Sequence, residues 1–200
     1  MTLLQIQKRT MTIAGTVLSA YLLFHMLSNL SFFFGDSFNQ FYQIYNSAWI
    51  RWPVLAIVLI CLWVHVRAAV NIRRKNSHAR QVSYKKHDKF HIPASLVTLS
   101  IILLFLFIIV HILQSLYVNP FDVRASLLDW FSSPFITLFY LMGVFILMMH
   151  LQHSLINVLQ TLGISSKMHH IAIHSAVAVL ALGFVSIPVF YWLVSRMGLN

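Results

Sequence analysis

The stretch 92–118, IPASLVTLSIILLFLFIIVHILQSLYV, contains no Asp, Glu, Lys or Arg. At about 1.5 Å rise per residue, a helix of this length crosses the roughly 30 Å hydrocarbon layer of a bilayer. Three more runs, 11–34, 131–160 and 171–195, share the property. A fifth, 49–72, carries only Arg51 and Arg67 near its ends, where long cationic side chains snorkel to the interface. The sequence therefore predicts an all-α integral membrane protein with five transmembrane helices, at about 10–34, 49–72, 92–118, 131–160 and 169–195, within a single membrane domain over 1–200. Composition agrees: 59% of residues are apolar and 9% charged, against about 25% charged in soluble proteins.

Lys8 and Arg9 precede the first run, which continues well beyond a signal-peptide core and so reads as an uncleaved anchor. Cys61 is the single cysteine, which excludes a disulfide framework or a thiolate metal site within the chain. The connection from Arg67 to His91 holds Arg67, Arg73, Arg74, Lys75, Arg80, Lys85, Lys86 and Lys89 against one acid, Asp88. Such a loop belongs in the cytoplasm. The N-terminus and the short connection with Lys167 then share that side, while Arg51 and Arg124 with Asp36, Asp122 and Asp129 occupy the opposite connections. A multi-pass protein of the inner (cytoplasmic) membrane with a cytoplasmic N-terminus is expected. The net charge of +10 is then a topology signal, and no nucleic-acid partner is implied.

Four of the five apolar runs carry a histidine in their membrane-embedded stretch: His25, His65, His111 and His150. Helix one runs outward and reaches His25 after about 14 residues, or roughly 20 Å, and helix three reaches His111 within two turns of its outer end. Helices two and four run inward, and His65 and His150 sit about two turns before their cytoplasmic ends. The four thus fall at two depths, separated by roughly 10–15 Å.

The segment His25-Met26-Leu27-Ser28-Asn29-Leu30 resembles His111-Ile112-Leu113-Gln114-Ser115-Leu116, and His65 and His150 are offset by nearly the same distance in sequence. Two copies of one hairpin would place helices one and three, and helices two and four, across the diagonals of a four-helix bundle. Each diagonal then supplies an axial pair for one haem: His25 with His111 in the outer half, His65 with His150 in the inner half. Six-coordinate bis-histidine iron favours electron transfer. The expected architecture is a four-helix diheme bundle with a fifth, peripheral helix. A lone intramembrane histidine is more simply an interhelical hydrogen-bonding group, but four at matched depths within a repeat point to two haem b.

The chain resembles the membrane cytochrome b subunit of succinate dehydrogenases and fumarate reductases, in the single-subunit, five-helix, diheme variety. The resemblance rests on His25-x-x-x-Asn29 followed by Gly35-Asp36-Ser37-Phe38-Asn39, on Ser133-Pro134-Phe135 leading through Phe139-Tyr140-x-x-Gly143 to His150 and Gly163-Ile164, and on His65 (with Trp63) and His111 at the second and third ligand positions. It departs at Thr98-Leu99-Ser100-Ile101 and at Ser154-Leu155-Ile156. It implies a membrane anchor passing electrons from an iron–sulfur subunit, itself fed by a flavoprotein subunit, to quinone, with menaquinone favoured. Residues 72–91 and 160–170 would form the docking platform. With no dinucleotide fingerprint, cysteine cluster or soluble domain, the chain alone would not act on succinate.

Other residues carry weaker expectations. His153 lies three positions after His150 and would assist as a hydrogen-bond partner. His78, His87 and His91 belong to the basic loop, and His169, His170 and His174 open helix five. Arg51 and Arg124 outside, and Arg67 and Lys167 inside, are candidates to compensate haem propionates. No carboxylate lies within any of the five runs, so a transmembrane carboxylate relay has no candidate. Asn29, Asp36 and Arg51 are candidate quinone contacts at the outer ends. Two alternatives remain: a cytochrome b anchor for another membrane dehydrogenase, and a haem-free membrane transporter or anchor.

Overall fold

The computed structural model describes residues 3–78, 94–161, 163–164 and 166–196. Among these, the elements are α1 (Leu3–Leu30), a 3₁₀ turn (Ser31–Phe34), α2 (Asp36–Tyr45), α3 (Ala48–His78), α4 (Ala94–Ser115), α5 (Val123–Ser132), α6 (Pro134–Thr161) and α7 (Lys167–Arg196). The helices α1, α3, α4, α6 and α7 are long and apolar enough to cross a membrane. The protein is an all-α, multi-pass membrane protein, and the bilayer is its solvent. Large apolar side chains such as Trp49, Phe135 and Leu182 stand 71–78% exposed, as a lipid environment tolerates, since lipid tails are as apolar as the side chains themselves.

The long helices match the expected spans, with differences at their ends. Helix α3 continues to His78, so Arg73, Arg74 and Lys75 extend it as a charged helical tail. The run 131–160 is divided: Phe131 and Ser132 finish α5, Ser133 turns to extended backbone (φ −82°, ψ 117°), and α6 starts at Pro134. The residue before a proline is pushed out of the α region, while proline itself suits the first helical position. The basic stretch 79–93, with Arg80, Lys85, Lys86, His87, Asp88, Lys89 and His91, lies outside the described residues, as does most of the expected docking loop.

The chain divides into two compact units. One comprises Met1–His25 with Ser47–Ile92, the other Met26–Asn46 with Pro93–Asn200. The first unit contains α3 and most of α1, which meet where Lys75 Nζ donates to Gln7 Oε1 at 3.1 Å and where His65 approaches Met11 and Gly15.

The second unit has a capped end. The short helices α2 and α5 lie over an aromatic core of Phe32, Phe38, Tyr42, Val123, Phe131 and Ile187, with Tyr140 and Phe190 against it. Phe32 and Phe38 are fully buried, their rings edge to face at 5.6 Å. Gly35, at φ 65°, turns the chain from the 3₁₀ segment into α2, a conformation that costs glycine nothing. Asp122 caps α5 by accepting from the Ala125 amide at 3.0 Å. Asn39 of α2 clamps this start from both sides: its Nδ2 donates to Asp122 Oδ1, and its Oδ1 accepts from the Arg124 amide, each at 3.0 Å. Asp122 is thus committed to a structural cap.

Candidate functional site

His65 sits on α3 against α1. Its Nδ1 lies 3.1 Å from the carbonyl oxygen of Met11, and a Cβ on Gly15 would come within 3.1 Å of its Cε1. Glycine at position 15 therefore leaves the space the imidazole occupies. A carbonyl oxygen only accepts, so the neutral ring donates through Nδ1–H and carries its lone pair on Nε2. His25 lies on α1 ten residues beyond Gly15, about 15 Å along the axis, with the Tyr21 ring stacked on it at 5.7 Å and 6°.

The second unit repeats this arrangement. His111 of α4 has its Nδ1 3.1 Å from the Tyr140 hydroxyl of α6, and Tyr140 in turn donates to Gln114 Oε1 at 3.0 Å. With its proton directed to Gln114, the Tyr140 oxygen accepts from His111 Nδ1–H, and the lone pair again lies on Nε2. Phe107 stacks against His111 at 6.0 Å and 15°, and its ring lies over Gly143, where a Cβ would overlap it. His150, half-buried on α6, stands ten residues past Tyr140, again about 15 Å along the axis. In each unit, then, one histidine packs at a point about 15 Å from the other along the partner helix.

The residues present would fit a haem held through His65 and His111. An imidazole that gives its Nδ1–H to an oxygen is held in one tautomer and orientation, with the more basic Nε2 turned to iron, the usual arrangement for a metal-bound histidine. Among the described residues no cluster of three or more His, Cys, Asp or Glu forms. His153 is used differently: its Nε2 accepts from Asn157 Nδ2 at 2.9 Å, one turn along the same helix. His169 bonds Ser166 Oγ at 2.6 Å, and His174 gives Nδ1–H to the His170 carbonyl at 2.5 Å, so both serve the start of α7.

The candidate quinone residues are not gathered by contacts within a unit. Asn29 Oδ1 accepts from the Tyr42 hydroxyl at 2.6 Å, tying the end of α1 to α2. Asp36 is exposed in the first turn of α2, where a carboxylate complements the helix dipole. Arg51, in the other unit, lies 5.8 Å from the Trp52 ring centroid. Arg67 covers Trp63 at 5.0 Å, and Lys167 opens α7. Arg124 lies over Phe32, its Cζ 4.9 Å from the ring centroid.

Sequence reasoning assigned no role to Tyr140 or Gln114. Gln114, one turn beyond His111 on the same face, is the signal that was present. Comparison with protein-family models, curated proteins and solved structures finds no match to this chain.

Proposed function

We propose that the chain is the membrane cytochrome b subunit of a succinate:quinone oxidoreductase. It would pass electrons between an iron–sulfur partner on the cytoplasmic face and membrane quinone, menaquinone by preference. Bound haem iron would supply reversible one-electron chemistry in a low-dielectric setting. His65 and His150 would hold the inner of two haem b groups, His25 and His111 the outer. This pairing rests on the helix-rise arithmetic and the repeat in the sequence. The observation that carries the reading is the matched pair of histidine levels, about 15 Å apart in each unit, with the His65 and His111 tautomers set by Met11 and Tyr140.

Within this reading the protein's own groups have defined tasks. The Met11 carbonyl and the Tyr140 hydroxyl orient the imidazoles, Gly15 makes room for one of them, and the apolar helix faces exclude water. The chain would be one subunit of an enzyme whose succinate chemistry occurs in the flavoprotein partner. A pyridine haemochrome assay on the purified chain tests the proposal: two haems b per chain are expected, and one or none overturns it. Co-purification of a flavoprotein and an iron–sulfur subunit tests the partners, and a different dehydrogenase in their place would assign the anchor elsewhere.

A further inference from the structure

At the capped end of the second unit, an open cavity of about 590 Å³ lies among α5 and the last turns of α7, with Arg124, Asp129, Ser132 and Tyr191 as its polar walls. The Arg124 Nε is buried and has no hydrogen-bond partner among the described residues. Nor does an ion pair join Arg124 to Asp129 among those residues, although both line the same cavity. A cation and an anion thus face one space without neutralising each other. The buried Nε sits where the guanidinium packs over the Phe32 ring, its Cζ 4.9 Å from the centroid, so the cavity's claim on a ligand is the opposed charges of its lining.

A second cavity of about 540 Å³ adjoins the first, sharing Ser132 and Tyr191. It follows α6 from Pro134 to Leu141, about two helical turns, against Val189 and Trp192 of α7. The combined space has a charged mouth at the helix ends and an apolar groove along the transmembrane helices. That is the outline of an amphiphile, and the bilayer surrounding these helices supplies one.

We propose that this space binds a phospholipid whose headgroup carries both a phosphate and a primary ammonium, as phosphatidylethanolamine does. The phosphate would accept from the Arg124 guanidinium, as charge-assisted, fork-shaped recognition favours. The ammonium would donate to the Asp129 carboxylate, and one acyl chain would lie in the groove beside Leu141 and Val189. Charge complementarity selects this lipid. A purely anionic headgroup would leave Asp129 repelling it, and a choline headgroup has no N–H to donate.

The test is native mass spectrometry of the full-length chain, delipidated and then exchanged against phosphatidylethanolamine, phosphatidylcholine or phosphatidylglycerol of identical acyl chains. One phosphatidylethanolamine per chain should be retained roughly tenfold more tightly than phosphatidylcholine, the equivalent of one charge-assisted hydrogen bond. R124Q should weaken retention of all three lipids. D129N, at an exposed position, should equalise phosphatidylethanolamine and phosphatidylcholine, and this comparison stands even if R124Q does not fold. Equal retention of the two lipids by the unaltered chain, a preference for phosphatidylglycerol, or an isoprenoid quinone displacing the lipid would each overturn the proposal.

Discussion

The Nδ1 of His111 lies 3.1 Å from the Tyr140 hydroxyl, and that hydroxyl is itself 3.0 Å from Gln114 Oε1. The three groups form a directed chain of hydrogen bonds from α4 to α6 and back, so the position of one amide oxygen decides which imidazole nitrogen keeps its lone pair. Tyr140→Phe removes the acceptor for Nδ1–H. If His111 is a haem ligand, the Phe variant should lose the outer haem about 10- to 100-fold more readily, the usual effect of removing such a supporting partner. Haemochrome content after graded dilution measures this. A variant that keeps haem and its midpoint potential unchanged would dissociate Tyr140 from the site.

Replacing either His65 or His150 with alanine should remove one and the same haem, while replacing His25 or His111 removes the other. Redox titration of the four single variants reads this directly. Loss of the same potential component in His25→Ala and His65→Ala would refute the pairing by depth.

Gly143→Ala should destabilise the second unit, because the added methyl overlaps the Phe107 ring. Overpacking of this kind costs about 1–3 kcal/mol. Thermal unfolding in detergent measures the loss, and Phe107→Leu in the same chain should restore part of it, since the two positions share one space. Additive effects of the two substitutions would show that the ring is not held there.

The Tyr42 hydroxyl is pushed up to about 12, chiefly by burial, from about 10 in an unfolded chain. A group that holds its proton more firmly when folded contributes fully below its unfolded pKa, and the contribution is lost as pH rises through the folded value. Stability of the capped end should therefore fall between about pH 10 and about pH 12. Tyr42→Phe should abolish this alkaline segment and, through the lost bond to Asn29, cost about 1 kcal/mol near neutrality. Thermal midpoints of both proteins across that pH range check both effects.

The spans were legible in the sequence because hydropathy needs no tertiary information: a run such as 92–118 has only one stable solution in lipid. The short helices α2 and α5 were not, since ten residues of mixed polarity resemble any loop until Asn39 and Asp122 are seen to meet. Ser133-Pro134 held the correct boundary of α6, but the continuous apolar run concealed it. The histidines stood out because polar groups are scarce in apolar helices. Tyr140 did not, because its importance comes from a neighbour on another helix, and interfacial tyrosines are common in membrane proteins.

Asn39 meets Asp122 across 83 positions of sequence and the Arg124 amide across 85. During synthesis, α2 therefore leaves the ribosome long before the segment that completes it, and must wait through the insertion of α3 and α4. Ordering of the aromatic end then comes late, because closing so long a loop must precede any gain from the contacts it brings. Until those later residues are made, Phe32 and Phe38 lack Val123, Phe131 and Ile187, and the core they are buried in cannot close.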